Sequence, residues 1–154
     1  MSIIFARIIT GDIDGYRHLM EVTPINSKSQ RGASLLQIAI AYGSEEIAID
    51  LVDRGIEIDN KTPMEVTELQ DALVMGFNVL ARKLVARGAD LFHRESHGNN
   101  ALWYASTHPR PDYDLVKQLV DAGSDVHTKN RAGRSPLDAA KERGNEKMIE
   151  VLER

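Results

Sequence analysis

His93 and His97 stand four residues apart in the segment HRESH. Two imidazoles at that spacing on one helical face are the beginning of a zinc site. The segment differs from H-E-x-x-H, because arginine follows the first histidine, and it falls in a loop rather than on a helix. Two histidines alone leave a tetrahedral ion half ligated. The chain has no cysteine, so thiolate zinc ligands, a cysteine nucleophile and disulfides are all excluded. No glycine loop that would cradle phosphate is present, and no G-x-S-x-G. Carboxylates are plentiful at Asp12, Asp14, Glu45, Glu46, Asp50, Asp53, Asp112, Asp114 and Asp121, but they fall at the starts and along the faces of apolar-periodic stretches, where solvated charge belongs. His18 has no evident acid partner, and His108 lies beside Pro109 in a loop. The expectation is a non-enzyme with no catalytic residues, no metal and no cofactor. An enzyme or metal-binding protein using His93 and His97 is the alternative.

The elements that carry these residues are best read from Gly32 to Asn60. A short apolar block, Leu35 to Ile40, breaks at Tyr42-Gly43. A second block follows in which Ile47/Leu51 and Ala48/Val52 sit four apart and share one helical face. Glu45 and Glu46 stand where a helix start favours negative charge. Gly55 stands where a helix needs a left-handed terminating residue. The result is a helix–turn–helix unit too thin to bury its own apolar face. The unit recurs: Gly43 and Gly76 are 33 apart, as are Gly55 and Gly88, and Gly88 to Gly123 is 35. The paired positions return as Leu80/Leu84 with Ala81/Val85, and as Leu115/Leu119 with Val116/Val120. Self-similarity near this period marks a stacked repeat array.

At these residues the chain resembles the ankyrin family, whose repeat reads roughly G-x-T-P-L-H-x-A-A-x-x-G, then E-I-V-x-L-L, then G-A-D-V-N. Gly133-Arg134-Ser135-Pro136-Leu137-Asp138-Ala139-Ala140 carries the first part. Arg87-Gly88-Ala89-Asp90-Leu91 and Ala122-Gly123-Ser124-Asp125-Val126 carry the last. The resemblance covers nearly the whole chain and implies an all-α solenoid of stacked helix–turn–helix units with finger loops, one domain over 1–154. Its repeats run over about 1–26, 27–59, 60–92, 93–127 and 128–154. The spacing predicts helices over 2–10, 14–20 and 78–86. Three departures stand out. Glu65 replaces the glycine of the second finger, so an irregular turn is expected there. Glu68 replaces the proline of the third repeat. The segment from Thr107 to Pro111 is two residues longer than its siblings, a bulged loop that proline keeps out of the helix.

With 154 residues and 42% apolar content, one folded domain is expected. The net charge of −4 argues against bulk nucleic-acid affinity. The apolar start, Met1 to Ile9, has no basic leader, is interrupted by Arg7 and stops at Gly11-Asp12, so neither signal peptide nor membrane span is expected. Absence of cysteine fits a reducing compartment, and a cytoplasmic location is expected.

What the resemblance implies about function is protein binding through a concave groove and the finger tips. By position, the partner-binding set is Arg31, Tyr42, Met64, Val74, Met75, Arg94, His97, Asn99, Trp103, His108 and Arg131. Tyr42, Val74, Met75 and Met64 would form an apolar patch, the kind of cluster that marks contact sites. The competing expectation is that Tyr42 and Met75 only pad neighbouring repeats, and that Trp103 belongs to the core. His127 at a finger base is expected to make a structural hydrogen bond. Lys28, Arg31, Lys61, Arg94, Lys129, Arg131 and Arg134 collect on the fingers, against Glu65 and Glu95. A basic rim over an acidic back would steer an acidic protein surface to the fingers. The expected protein is a monomer when unbound that binds another protein, not nucleic acid or membrane. Its sharpest role is an inhibitor or immunity-type protein for a toxin or enzyme; the alternative is a regulatory adaptor or scaffold subunit.

Overall fold

A small polar side chain precedes most of the apolar runs, and each starts a helix. In the computed structural model, which describes residues 2–154, ten helices form among those residues and no β-strand. Met1, where the first repeat begins in the sequence, lies outside them. The helices are α1 (Ile3–Thr10), α2 (Ile13–Met20), α3 (Leu35–Ala41), α4 (Glu45–Asp53), α5 (Glu68–Met75), α6 (Asn78–Ala86), α7 (Ala101–Thr107), α8 (Tyr113–Asp121), α9 (Pro136–Glu142) and α10 (Glu146–Leu152). The predicted helix over 78–86 is matched residue for residue. The first starts one residue late because Ser2 is its extended N-cap, and the second one residue early because Asp12 caps it and accepts from the Gly15 N–H at 2.9 Å.

Consecutive helices pair as hairpins, and the pairs stack. The odd-numbered helices pack in one row from α1 to α9, and the even-numbered in a second from α2 to α10. Between the rows lies one continuous apolar core, including Ile8, Leu36, Leu51, Leu69, Leu84, Leu102, Leu119 and Met148. This is the all-α repeat solenoid that the glycine spacing implied. No helix among the described residues is long and apolar enough to cross a membrane.

Four fingers connect the hairpins, and their tips share one turn. The N–H groups of Ser29, Thr62, Glu95 and Asn130 donate to the carbonyls of Ala33, Val66, Asn99 and Arg134 at 2.8–3.1 Å. Each first residue also accepts with its own side chain from the far limb of the turn, through Ser29 Oγ, Thr62 Oγ1, Glu95 Oε1 and Asn130 Oδ1. The fourth position is left-handed, with φ of 80° at Gly32, 81° at Gly98 and 73° at Gly133. The second finger keeps this geometry, contrary to the irregular turn expected from its missing glycine: Glu65 adopts φ 63° and donates to the Thr62 carbonyl at 2.9 Å. The flanking bonds therefore outweigh the cost of placing a Cβ there, roughly 1–2 kcal/mol. Glu65→Gly removes that cost but loosens the unfolded chain, so a net gain of about 0.5–1 kcal/mol is expected in denaturant melts. A destabilised variant would mean that the Lys61–Glu65 pair, at 3.9 Å, contributes more than the backbone loses.

Candidate functional site

The finger tips form a row tied by backbone bonds. Ser96 N–H donates to the Met64 carbonyl at 3.1 Å, and Arg131 N–H to the His97 carbonyl at 2.9 Å. Met64, His97 and Arg131 are thus held in register along one edge. Gly98 favours this approach, since its φ is 81° and a Cβ there would crowd the Arg131 nitrogen at 3.1 Å. Two of the expected contact residues also join neighbouring fingers. The Arg94 guanidinium donates to the carbonyls of Gly98 at 3.1 Å and Lys129 at 2.6 Å. Asn99 Oδ1 accepts from Asn130 Nδ2 at 2.8 Å. Charge reversal at Arg94 therefore removes one bond within its own finger and one to the next finger, as well as a surface cation.

At the C-terminal ends of α3 and α5, Tyr42, Val74 and Met75 are 58%, 50% and 45% exposed, and Met64 on the adjoining tip 53%. Tyr42 and Met75 each present about half of their surface to water. His108 lies next in this row: its Nε2 is 3.3 Å from where a Gly76 Cβ would stand, and its Nδ1 accepts from the Arg110 N–H at 3.1 Å. The bulged loop predicted there is seen, and Arg143 donates to its Thr107 carbonyl at 2.9 Å. Trp103 is half-buried, with the Arg134 guanidinium 5.8 Å from its ring centre. It occupies the third helical position, where Gln37, Gln70 and Asp138 close capping boxes with Ser34, Thr67 and Ser135. In its repeat only the Asn100 half of that box survives.

The charge contrast expected between fingers and back is much reduced by pairing. Arg7–Asp12, Arg54–Asp50, Lys83–Asp53, Arg82–Asp112 and Lys117–Asp121 interleave cations among the acids of the even-numbered helices. On the fingers, Arg134 pairs with Glu142 and Lys129 with Asp138. Glu95 is buried beneath its tip. Burial alone would raise its carboxyl, but N–H groups of His97 and Asn99, at 2.8 and 2.9 Å, and the His97 ring hold it below the usual range.

Chemistry at the histidine pair is divided between separate partners. His93 Nε2 bonds the Glu65 carbonyl at 2.5 Å, and His97 Nδ1 the Glu95 carboxylate at 2.8 Å. No group of three or more histidine or acidic side chains suited to a metal ion occurs among the described residues. His127 has an exposed side chain, and the hydrogen bond it makes, to Asp125 Oδ1 at 2.8 Å, comes from its backbone N–H. Sequence reasoning missed Gln70, whose Nε2 donates to the carbonyls of His93 and Asn99 at 3.2 Å each and so ties repeat three to the next finger. It also missed a cleft on α1 and α3 lined by Phe5, Ile9 and Ile38. The signal was the four-residue spacing of Phe5/Ile9 and Ile38/Tyr42.

Comparison with known proteins agrees with this architecture. The family model for the ankyrin repeat matches residues 97–131. A putative ankyrin repeat-containing protein of Treponema pallidum (strain Nichols) is 32% identical over 115 residues, 74% of this chain and 38% of that one. The inactive serine/threonine-protein kinase TEX14 of Bos taurus is 29% identical over 144 residues, 89% of this chain and 9% of that one. The potassium channel GORK of Arabidopsis thaliana is 51% identical over 39 residues, 25% of this chain and 5% of that one. The chain thus spans well under two thirds of the length of each of these relatives.

Proposed function

Because the chain belongs to the ankyrin-repeat family, whose repeats make protein–protein interaction modules, we propose that it binds a partner protein without catalysis, through its finger tips and odd-numbered helices. The observation that carries this reading is the half-exposed apolar set Tyr42, Met64, Val74 and Met75 on that face. Large apolar side chains grouped on one surface favour a desolvating contact. Arg31, Arg94, His97, Asn99, Trp103, His108 and Arg131 border the set and supply polar contacts at its rim.

The sharpest form of the proposal is a cytoplasmic inhibitor of the immunity type, held as a monomer until it meets a toxin or enzyme. The grouped apolar surface and the lack of cysteine support it. The second reading, an adaptor or scaffold unit of a larger assembly, is favoured by the small share of each relative that the chain spans. The two separate on one measurement: an inhibitor lowers the activity of the purified partner at saturation, whereas an adaptor leaves it unchanged.

The site is tested by recovering the partner from the source cell and titrating it against variants. Tyr42→Ala and Met75→Ala are each expected to weaken binding by more than about 1 kcal/mol without loss of fold. Reversal of Glu45 and Glu46 on α4 is expected to change it little. The opposite pattern would place the partner on the even-numbered helices.

A further inference from the structure

The first finger closes one side of a cleft of about 530 Å³ whose other walls are α1 and α3. Phe5 and Ile9 come from α1, Ile38 from α3, Tyr42 from the C-cap of α3, and Ala33 from the finger's return limb. Lys28 and Arg31 stand on the finger, and no carboxylate lines the cleft among the described residues. This is unusual for a chain of net charge −4. The cleft between the hairpin turns of repeats one and two is lined by Glu45 and Glu46, and the one near the C-terminus by Asp125 and Glu153. One repeat further along, the position of Ile38 is taken by Asp71, so the pairing of a finger cation with an Ile38-type apolar wall is not repeated at the next finger. Neither Lys28 nor Arg31 forms an ion pair among the described residues, although Lys28 lies close enough to the Glu68 carboxyl to act on it. Lys28 Nζ donates to the neutral Asn60 Oδ1 at 2.5 Å. Arg31 is exposed and takes part in none of the ion pairs among the described residues.

We propose that this cleft is the anchor site for an acidic segment of a partner protein, taking one bulky apolar side chain against Ile9, Ile38 and Tyr42 and the flanking carboxylates against Lys28 and Arg31. The proposal rests on the protein-binding reading above and moves its anchor from the middle of the array to repeats one and two. The volume lies within the range of pockets that enclose a small ligand, about 300–1,000 Å³, and so admits one aromatic or long aliphatic side chain. Arginine adds planar, two-pronged recognition of carboxylate that a flat apolar surface lacks. Tyr42 belongs to both surfaces and joins the cleft to the apolar set that continues through Val74 and Met75.

The test titrates the full, isotope-labelled chain with a synthetic peptide of one phenylalanine between two pairs of glutamates, followed by amide chemical shifts. Shifts are expected to concentrate on Ser29, Arg31, Ala33, Ile38 and Tyr42, with affinity in the sub-millimolar range. Arg31→Glu is expected to weaken binding about tenfold or more, and Arg31→Lys, which keeps the charge but loses the two-pronged geometry, by an intermediate few-fold; exchanging the peptide's phenylalanine for alanine has a loss as large as Arg31→Glu. Arg31 is exposed, so these variants keep the fold. Shifts at Val74 and Met75 with none at the cleft would overturn the anchor and leave the protein-binding face standing. Shifts confined to α4, α6 and α8 would overturn both. Equal binding of a lysine-flanked peptide, or no shift in the millimolar range, would overturn the anchor. So would concentration-dependent shifts at the cleft without peptide, which would make a second copy its occupant.

Discussion

Leu84→Ala is expected to destabilise the protein by about 2–5 kcal/mol. Leu84 sits on α6 with none of its surface exposed, in the core between the two helix rows. Truncation removes buried methyl groups and leaves a void that neighbours on three hairpins must either line or collapse into. In a solenoid each repeat is supported only by its neighbours, so a defect in the central repeat weakens both of the interfaces that hold the array together. Trp103, the only tryptophan, lies in the adjoining repeat and reports this by fluorescence in a denaturant melt. Val79→Ala on the same helix is the control: its side chain is largely exposed, and a change within about 0.5 kcal/mol is expected. A loss below about 1 kcal/mol at Leu84, or equal losses at the two positions, would contradict the packing. A melt that splits into two steps, with Trp103 following the later one, would locate the break between repeats.

The fold was legible because the repeat carries its own punctuation. Leu80/Leu84 and Ala81/Val85 define a buried face by spacing alone, and Gly76 and Gly88 bracket their helix. Exposure of Tyr42, Val74 and Met75 was legible for the same reason, since Tyr42 caps α3 before Gly43 and Val74 and Met75 end α5 before Gly76. What could not be read was anything decided by contacts between repeats. Arg94 reads as a free finger cation, yet its guanidinium bonds a carbonyl 35 positions away. Asp112 reads as part of an acidic back, yet Arg82, 30 positions earlier, pairs with it at 2.7 Å. The left-handed turn at Glu65 was misjudged because the local penalty is visible in the residue type, whereas the bonds from Thr62 and Val66 that offset it depend on the shape of the whole finger. A repeat consensus describes what each unit does alone; the partners supplied by the next unit need coordinates.

Glu68 carries the second large expectation, and its sign follows from where it is buried. It occupies the first position of α5, where the resemblance places proline, and only 1% of its surface is exposed. Its Oε1 accepts from Asn60 Nδ2 at 2.9 Å, but its buried Oε2 has no hydrogen-bond partner among the described residues. Burial pushes this carboxyl up to about 7; the Asn60 bond and its own backbone N–H pull it back, Asp59 adds to the rise, and Lys28 opposes it. Because the folded protein holds the proton more tightly than the unfolded chain, whose glutamate titrates near 4.5, the benefit of the protonated form is complete below pH 4.5 and is lost as pH rises to about 7. Glu68→Gln keeps an oxygen acceptor for Asn60 and removes the ionisation. It is therefore expected to stabilise the protein by roughly 1–3 kcal/mol at pH 8 and by little at pH 4.5. Glu68→Pro, which suits the first turn of a helix and lacks any charge, is expected to show the same pH dependence of its difference from the parent. Denaturant melts of parent and variants at the two pH values decide the matter. A difference that is the same at both would mean that Glu68 titrates as in water, with its second oxygen reached by solvent.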